Sequence, residues 1–202
     1  MAGRSTSEKT TYMILRKTPF RDTSLIVAGI SPDFGRLDFM LRGARSIGKK
    51  SFPIAGVFRE YSISFRPSSA SGGMSSLVSM ELLATHDRLA ESMACYLSAC
   101  DMASMLIRIA PPMLEIPYIW KAFSVMLSRM ERTGTPEPAR MLARLVCLKE
   151  HGGLSEFVPF AETLPELFRC ALDAESDVQN IPQEQIDRMI SWVDTALRSY
   201  HF

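Results

Sequence analysis

Arg36-Leu37-Asp38-Phe39-Met40-Leu41 sets the period of the first part of the chain. Leu37, Phe39 and Leu41 point one way and Arg36, Asp38 and Met40 the other, the twofold repeat of a strand with one buried face. Working outward towards the N-terminus, Pro32-Asp33-Phe34-Gly35 is a turn. Before it, residues 24–31 (SLIVAGIS) and 11–16 (TYMILR) are β-branched or aromatic-rich apolar runs that read as strands. Towards the C-terminus, residues 57–65 (VFREYSISF) alternate again. Val57, Tyr61, Ile63 and Phe65 take one side, Phe58, Glu60, Ser62 and Ser64 the other, and Arg59 interrupts the apolar set. A Ser/Gly-rich loop over residues 67–76 leads to a fifth strand at 77–83. Five short strands in so few residues predict a small closed barrel, because closure removes the exposed sheet edges.

From residue 84 the period changes. Leu89, Met93, Tyr96, Cys100, Ala103 and Ile107 recur at helical spacing, and Met102, Met105, Leu106 and Ile109 cover the opposite side. That all-round apolarity predicts the central helix of a bundle, ended by Pro111-Pro112. Ile116, Trp120, Phe123, Leu127 and Met130 form the stripe of a helix over 117–132, closed by Thr133-Gly134-Thr135-Pro136. Pro138 suits the first turn of a third helix that runs to His151 and stops at Gly152-Gly153. Leu164–Leu172 is a shorter helix, and Ile186, Ile190, Val193 and Leu197 mark a last one. The expected fold class is therefore α+β, strands first: a barrel domain over residues 1–83, then an antiparallel all-helical bundle over 84–202.

The composition of the 202 residues, 47% hydrophobic and 22% charged, is that of a soluble globular protein and excludes a disordered or disulfide-dense chain. The net charge of +1 conceals a split. Residues 1–80 carry 12 Lys and Arg against 5 Asp and Glu, whereas residues 81–202 carry 11 against 17. Halves of opposite sign point to different partners. The most apolar stretch, 93–114, is broken by Asp101 and Arg108 and reads as a buried helix, not a membrane span. The polar N-terminus has no secretory core. Cys95, Cys100, Cys147 and Cys170 make no C-x-x-C pair and read as reduced, buried thiols of a cytosolic protein. His86, His151 and His201 have no ligand partners at metal spacing. No nucleophile elbow, phosphate loop or dinucleotide fingerprint occurs. The expectation is a protein with no catalytic residue, metal or cofactor.

One segment stands out. Residues 36–50 hold Arg36, Arg42, Arg45, Lys49 and Lys50 against the single acid Asp38. These cations follow a half-exposed strand into a loop containing Gly43 and Gly48, where the backbone can approach a bulky ligand. Such a track neutralises nucleic-acid phosphates and releases counterions. Phe34, Phe39 and Phe52 lie among them, and exposed aromatics there would stack unpaired bases. Phe39 alternates with the core set, which favours burial. Arg16, Arg21, Arg59 and Arg66 are secondary phosphate contacts whose facing the pattern leaves open. In the second half, Arg129, Arg132, Arg140 and Arg144 lie near Met126, Met130 and Met141. An apolar pocket rimmed by arginines would capture an acidic tail ending in Phe. The same residues also suit plain pairing with Glu131, Glu137 and water. A protein-binding adaptor or an RNA-binding barrel are the alternative readings, since a barrel of this kind serves either end.

These residues also carry a likeness. Residues 12–16 (YMILR), 20–27 (FRDTSLIV), 31–36 (SPDFGR) and above all 41–45 (LRGAR), followed by Lys49-Lys50-Ser51, resemble the RecO family of bacterial recombination mediators, which are DNA repair proteins. A looser likeness continues at Glu81, at Tyr96-Leu97, and over 117–123 and 143–154. The resemblance implies an N-terminal OB-fold followed by a helical domain. It implies non-enzymatic binding of single- and double-stranded DNA and annealing of complementary strands. Its partners would be RecR and the C-terminal tail of single-stranded DNA-binding protein, with RecA loaded as the outcome, in the cytoplasm at the nucleoid. Two departures stand in the sequence. No cysteine follows Gly153-Leu154 until Cys170, so the helical domain is read as lacking the zinc knuckle many relatives carry. Ser46 follows Arg45 where the family has a second arginine.

Overall fold

The computed structural model describes residues 7–45, 54–68, 73–154, 158–176, 178 and 180–199. Five strands come first: β1 (Glu8–Phe20), β2 (Ser24–Ser31), β3 (Gly35–Leu41), β4 (Arg59–Arg66) and β5 (Ser76–Thr85). They form one antiparallel sheet in the order β3-β2-β1-β4-β5. A parallel bridge between Phe39 and Ser75 brings the two outer strands together. The ring therefore runs 1-2-3-5-4-1, the partly open five-stranded barrel of an OB-fold. The expected fold class, an OB-fold barrel followed by helices, is what the structure shows.

β1 is longer than its apolar run suggests because it serves two partners. Its first half pairs with β4, from Glu8 opposite Phe65 to Met13 opposite Glu60. Its second half pairs with β2, down to Phe20 opposite Ser24. The register slips between Ile14 and Arg16. A bulge there bends the strand around the barrel corner, and the Phe58 amide donates to the Ile14 carbonyl at 2.9 Å beside it. Inside lie Tyr12, Ile14, Val27, Leu37, Phe39, Leu41, Tyr61, Ile63 and Phe65. The β3 alternation is as expected, with Leu37, Phe39 and Leu41 buried and Arg36, Asp38 and Met40 half-exposed. Two tyrosines reach the core because their hydroxyls are satisfied: Tyr12 donates to the Leu37 carbonyl and Tyr61 to the Ile54 carbonyl, each at 3.0 Å.

Two compact units divide the chain, one of Met1–Asp87 with Ile109–Pro117, the other of Arg88–Arg108 with Tyr118–Phe202. In the first, Ile109–Pro117 is a strap on the β2–β3 turn. Arg36 N donates to Pro111 O, Met113 N to Phe34 O and Ile116 N to Pro32 O, at 2.8–3.1 Å. Gly35, with φ of +59°, seats it: a Cβ there would lie 2.0 Å from Pro111 O.

The second unit holds α1 (Met93–Ile109, its last residue falling to the strap), α2 (Pro117–Thr133, its first residue falling to the strap), α3 (Ala139–Glu150), α4 (Leu164–Leu172) and α5 (Gln183–Ser199). α3 packs against both α4 and α5 and buries Ala139, Met141, Leu142, Ala143, Leu145, Val146, Cys147 and Leu148. The reading of α1 as the central, all-round buried helix needs correction. Leu97, Asp101, Ser104 and Arg108 form an exposed stripe along it, so α3 is the more enclosed. No helix among the described residues is long and apolar enough to cross a membrane.

Candidate nucleic-acid interface

Two grooves open at one end of the barrel, and Arg42 lines both. The first, of about 680 Å³, lies between the β1–β2 hairpin and the end of β3, bounded by residues 20–24, Met40, Arg42 and Gly43. The second, of about 430 Å³, lies between β3 and the start of β5 and is lined by Met40, Arg42 and residues 74–77. The strand period explains this placement. Met40 is on the outer face of β3, and Arg42 follows it on the same side as the strand ends.

The loop after β3 is fastened to the hairpin. Gly43, with φ of +68°, turns the chain in a left-handed conformation that suits glycine. The Arg45 amide then donates to the Thr23 carbonyl at 2.9 Å, and its guanidinium Nη1 to the Arg21 carbonyl at 3.3 Å. Arg21 has φ of +52°, unusual for a non-glycine residue. Its guanidinium carbon stands 5.2 Å from the centre of the Phe20 ring. Arg21, Arg42 and Arg45 are exposed. Asp22, also exposed, is the acid of this rim. The arrangement offers cations beside two shallow grooves whose walls are part apolar, which suits a phosphate chain carrying flat rings.

The other barrel cations are placed differently. Arg36 makes a two-point contact with Asp38, 2.8 and 3.3 Å, and this hydrogen-bonded carboxylate raises its pKa. Its charge is met within its own strand, away from both grooves. Arg59 forms the same fork with Asp87 at 2.8 and 3.1 Å. Arg16 and Arg66 are exposed, Arg66 opposite Ser76 at the start of β5. Lys49, Lys50 and Phe52 lie outside the described residues. Of the aromatics read as stacking candidates, Phe39 is fully buried, edge-on to Tyr12 and Phe65. Phe34 packs edge-on against Phe65 at 5.2 Å. Phe20 does line a groove, and the pattern of basic residues misses it because it ends β1, two strands upstream of them. Its signal was its position at the tip of a hairpin, next to Arg21.

The four arginines singled out in the helical unit are each held by a different group. Arg129 is 4% exposed and donates through Nη2 to the carbonyls of Cys170 (2.9 Å), Asp173 (3.1 Å) and Ser176 (2.6 Å). It closes the C-terminal end of α4 and does not rim a surface pocket. Arg132 donates to the Ala174 carbonyl at 3.0 Å. Arg140 pairs with Glu137, and Arg144 with Asp194 of α5. Among the described residues no group of three His, Cys, Asp or Glu is placed to hold a metal. Cys95, Cys147 and Cys170 are buried free thiols, and Cys100 is half-exposed.

Residues 5–86 match the family model described as Recombination protein O N terminal. No curated protein matches the chain.

Proposed function

We propose, from the match of residues 5–86 to the Recombination protein O N-terminal family model and from the cations at the barrel grooves, that the chain is a non-enzymatic, DNA-binding mediator of recombination and repair. It binds single- and double-stranded DNA through the barrel, anneals complementary strands and helps place recombinase on single strands coated by single-stranded DNA-binding protein. RecR and the acidic tail of that protein are its partners, and the net acidic second half (residues 81–202) is the better protein-docking surface because it repels phosphate. Arg132 and Arg140 are the arginines nearest the surface for such a tail, whereas Arg129 is committed to three carbonyls.

The observation that carries the proposal is that Arg42 lines both grooves and Arg21 one of them, with Arg45 fastened to the same hairpin, and that among the described residues none of the three is held in a carboxylate fork like those of Arg36 and Arg59. Counterion release makes binding at such a site strongly salt-dependent, with a slope of about −0.7 per phosphate neutralised on single strands. In a folded Arg42→Glu/Arg45→Glu variant, single-strand affinity should fall sharply and the slope should flatten by about 1.4 or more. A folded variant that binds as the parent does would end the proposal. A parent that ignores every oligonucleotide at low salt would leave the adaptor reading, and one that prefers ribo- over deoxyribo-oligonucleotides of the same sequence would leave the RNA reading.

A further inference from the structure

We infer that Phe20 and Met40 form a platform for unpaired nucleobases, so that the groove distinguishes single strands from duplex; this rests on the proposal that the barrel binds DNA. The argument begins with the aromatics of the barrel. Tyr12, Phe39, Phe58, Tyr61 and Phe65 are buried, and Phe34 is packed on Phe65. Phe20 is half-exposed, lines the groove, and has the Arg21 guanidinium against its ring. Met40, half-exposed on the outer face of β3, lines the same groove. A thioether and a ring are both polarizable surfaces against which a flat base can lie.

The surroundings give the walls their purpose. Arg21 and Arg42 line the same groove with positive charge, which complements the phosphates that accompany a base, and Arg45 is bonded to the adjoining hairpin. The hairpin tip is held in place before any ligand arrives. The Arg45 amide and guanidinium fasten the carbonyls of Thr23 and Arg21, and Arg21 is kept left-handed at φ +52°. A non-glycine residue in that conformation is strained, and such positions cluster at ligand clamps. A ring presented on a fixed tip loses little freedom when a base lands on it.

Duplex DNA offers this platform nothing, because its base faces are stacked on one another and only their edges show in the grooves. Phosphate contacts therefore serve both forms and Phe20 serves one. The test is to measure binding of a single-stranded oligothymidine, a duplex and an abasic strand of equal length to the full chain at fixed salt. Phe20→Ala should weaken single-strand binding about tenfold, leave duplex binding unchanged and leave the salt slope unchanged. Phe20→Tyr should keep parental affinity, and the abasic strand should bind the parent about as weakly as oligothymidine binds Phe20→Ala. Should Phe20→Ala fail to fold, Phe20→Trp gives an independent readout: oligothymidine should quench its fluorescence beyond the change in the parent, which has two tryptophans, and duplex should not. Equal losses on single strand and duplex, an unchanged single-strand affinity, or no added quenching would overturn the inference. A parent that binds no DNA would instead bring down the proposal beneath it, as would Arg42 and Arg45 charge reversals that leave binding intact.

Discussion

Arg129 shows how a side chain can look like a ligand site and serve the fold. Its position on α2 among methionines suggested a surface rim, yet its guanidinium is drawn inward to three carbonyls at the end of α4. A helix C-terminus leaves carbonyls without intrahelical donors, and an Arg fork meets several at once where an ammonium is a point charge. Arg129→Ala should therefore lower stability by about 2–4 kcal/mol, since it leaves buried acceptors bare. Arg129→Lys should recover little of it. Urea unfolding of the two variants checks both statements. Phe20 makes the opposite case. Phe39 is marked as buried by its alternation with Leu37 and Leu41, whereas Phe20 belongs to no such alternation, and the register completes the difference. Phe39 falls on the inner face of a central stretch of β3, and Phe20 falls at the last pair of a hairpin.

At the scale of elements, the strands and helices were legible because their periods differ, 2.0 against 3.6. Leu164–Leu172 coincides with the helix expected there, and β2 with its strand. The extra length of β1 was not legible. Glu8, Lys9 and Thr10 have no apolar alternation and are strand because β4 pairs with them. The strap was hidden for a related reason. Pro111-Pro112 reads locally as the end of a helix, and its partners lie some 75 residues upstream by the ordinary logic of tertiary override. Among the site residues, Arg21, Arg42 and Arg45 could be picked out as cations, but the neutralisation of Arg59 by Asp87 is a tertiary fact. Arg36 with Asp38 was readable, since residues two apart in a strand share a face. The strap makes a specific demand of Gly35. In Gly35→Ala a Cβ would meet the Pro111 carbonyl oxygen at 2.0 Å and that of Leu114 at 2.6 Å, with φ at +59°. These are backbone atoms that have little room to move, so the substitution should cost about 3 kcal/mol or more. Hydrogen exchange should show it directly, through faster exchange of the Met113 and Ile116 amides that the β2–β3 turn now accepts.

The whole molecule titrates in a direction set by its buried acids. Burial pushes the Cys147 thiol from 9.0 up to about 12 and raises the Tyr12 phenol well above its ordinary value. The unfolded chain ionises these groups at ordinary values while the native state keeps them protonated. The unfolded state then binds fewer protons, and stability falls as pH rises. The contribution of Cys147 is complete below about pH 9 and is lost progressively towards pH 12, at about 1.4 kcal/mol per pH unit. The urea midpoint should accordingly drop between pH 9 and 11, and Cys147→Ala should drop less steeply from its own starting value. The barrel's dependence on Ile109–Pro117 has a different reach, because the chain leaves the first unit after Asp87 and comes back to it. A protease that nicks the chain after Asp87 severs the backbone without discharging the amino-terminal fragment, which remains docked through the amide of Arg36 and the carbonyls of Pro32 and Phe34. Cleavage would register on a denaturing gel and pass unnoticed in a sizing column.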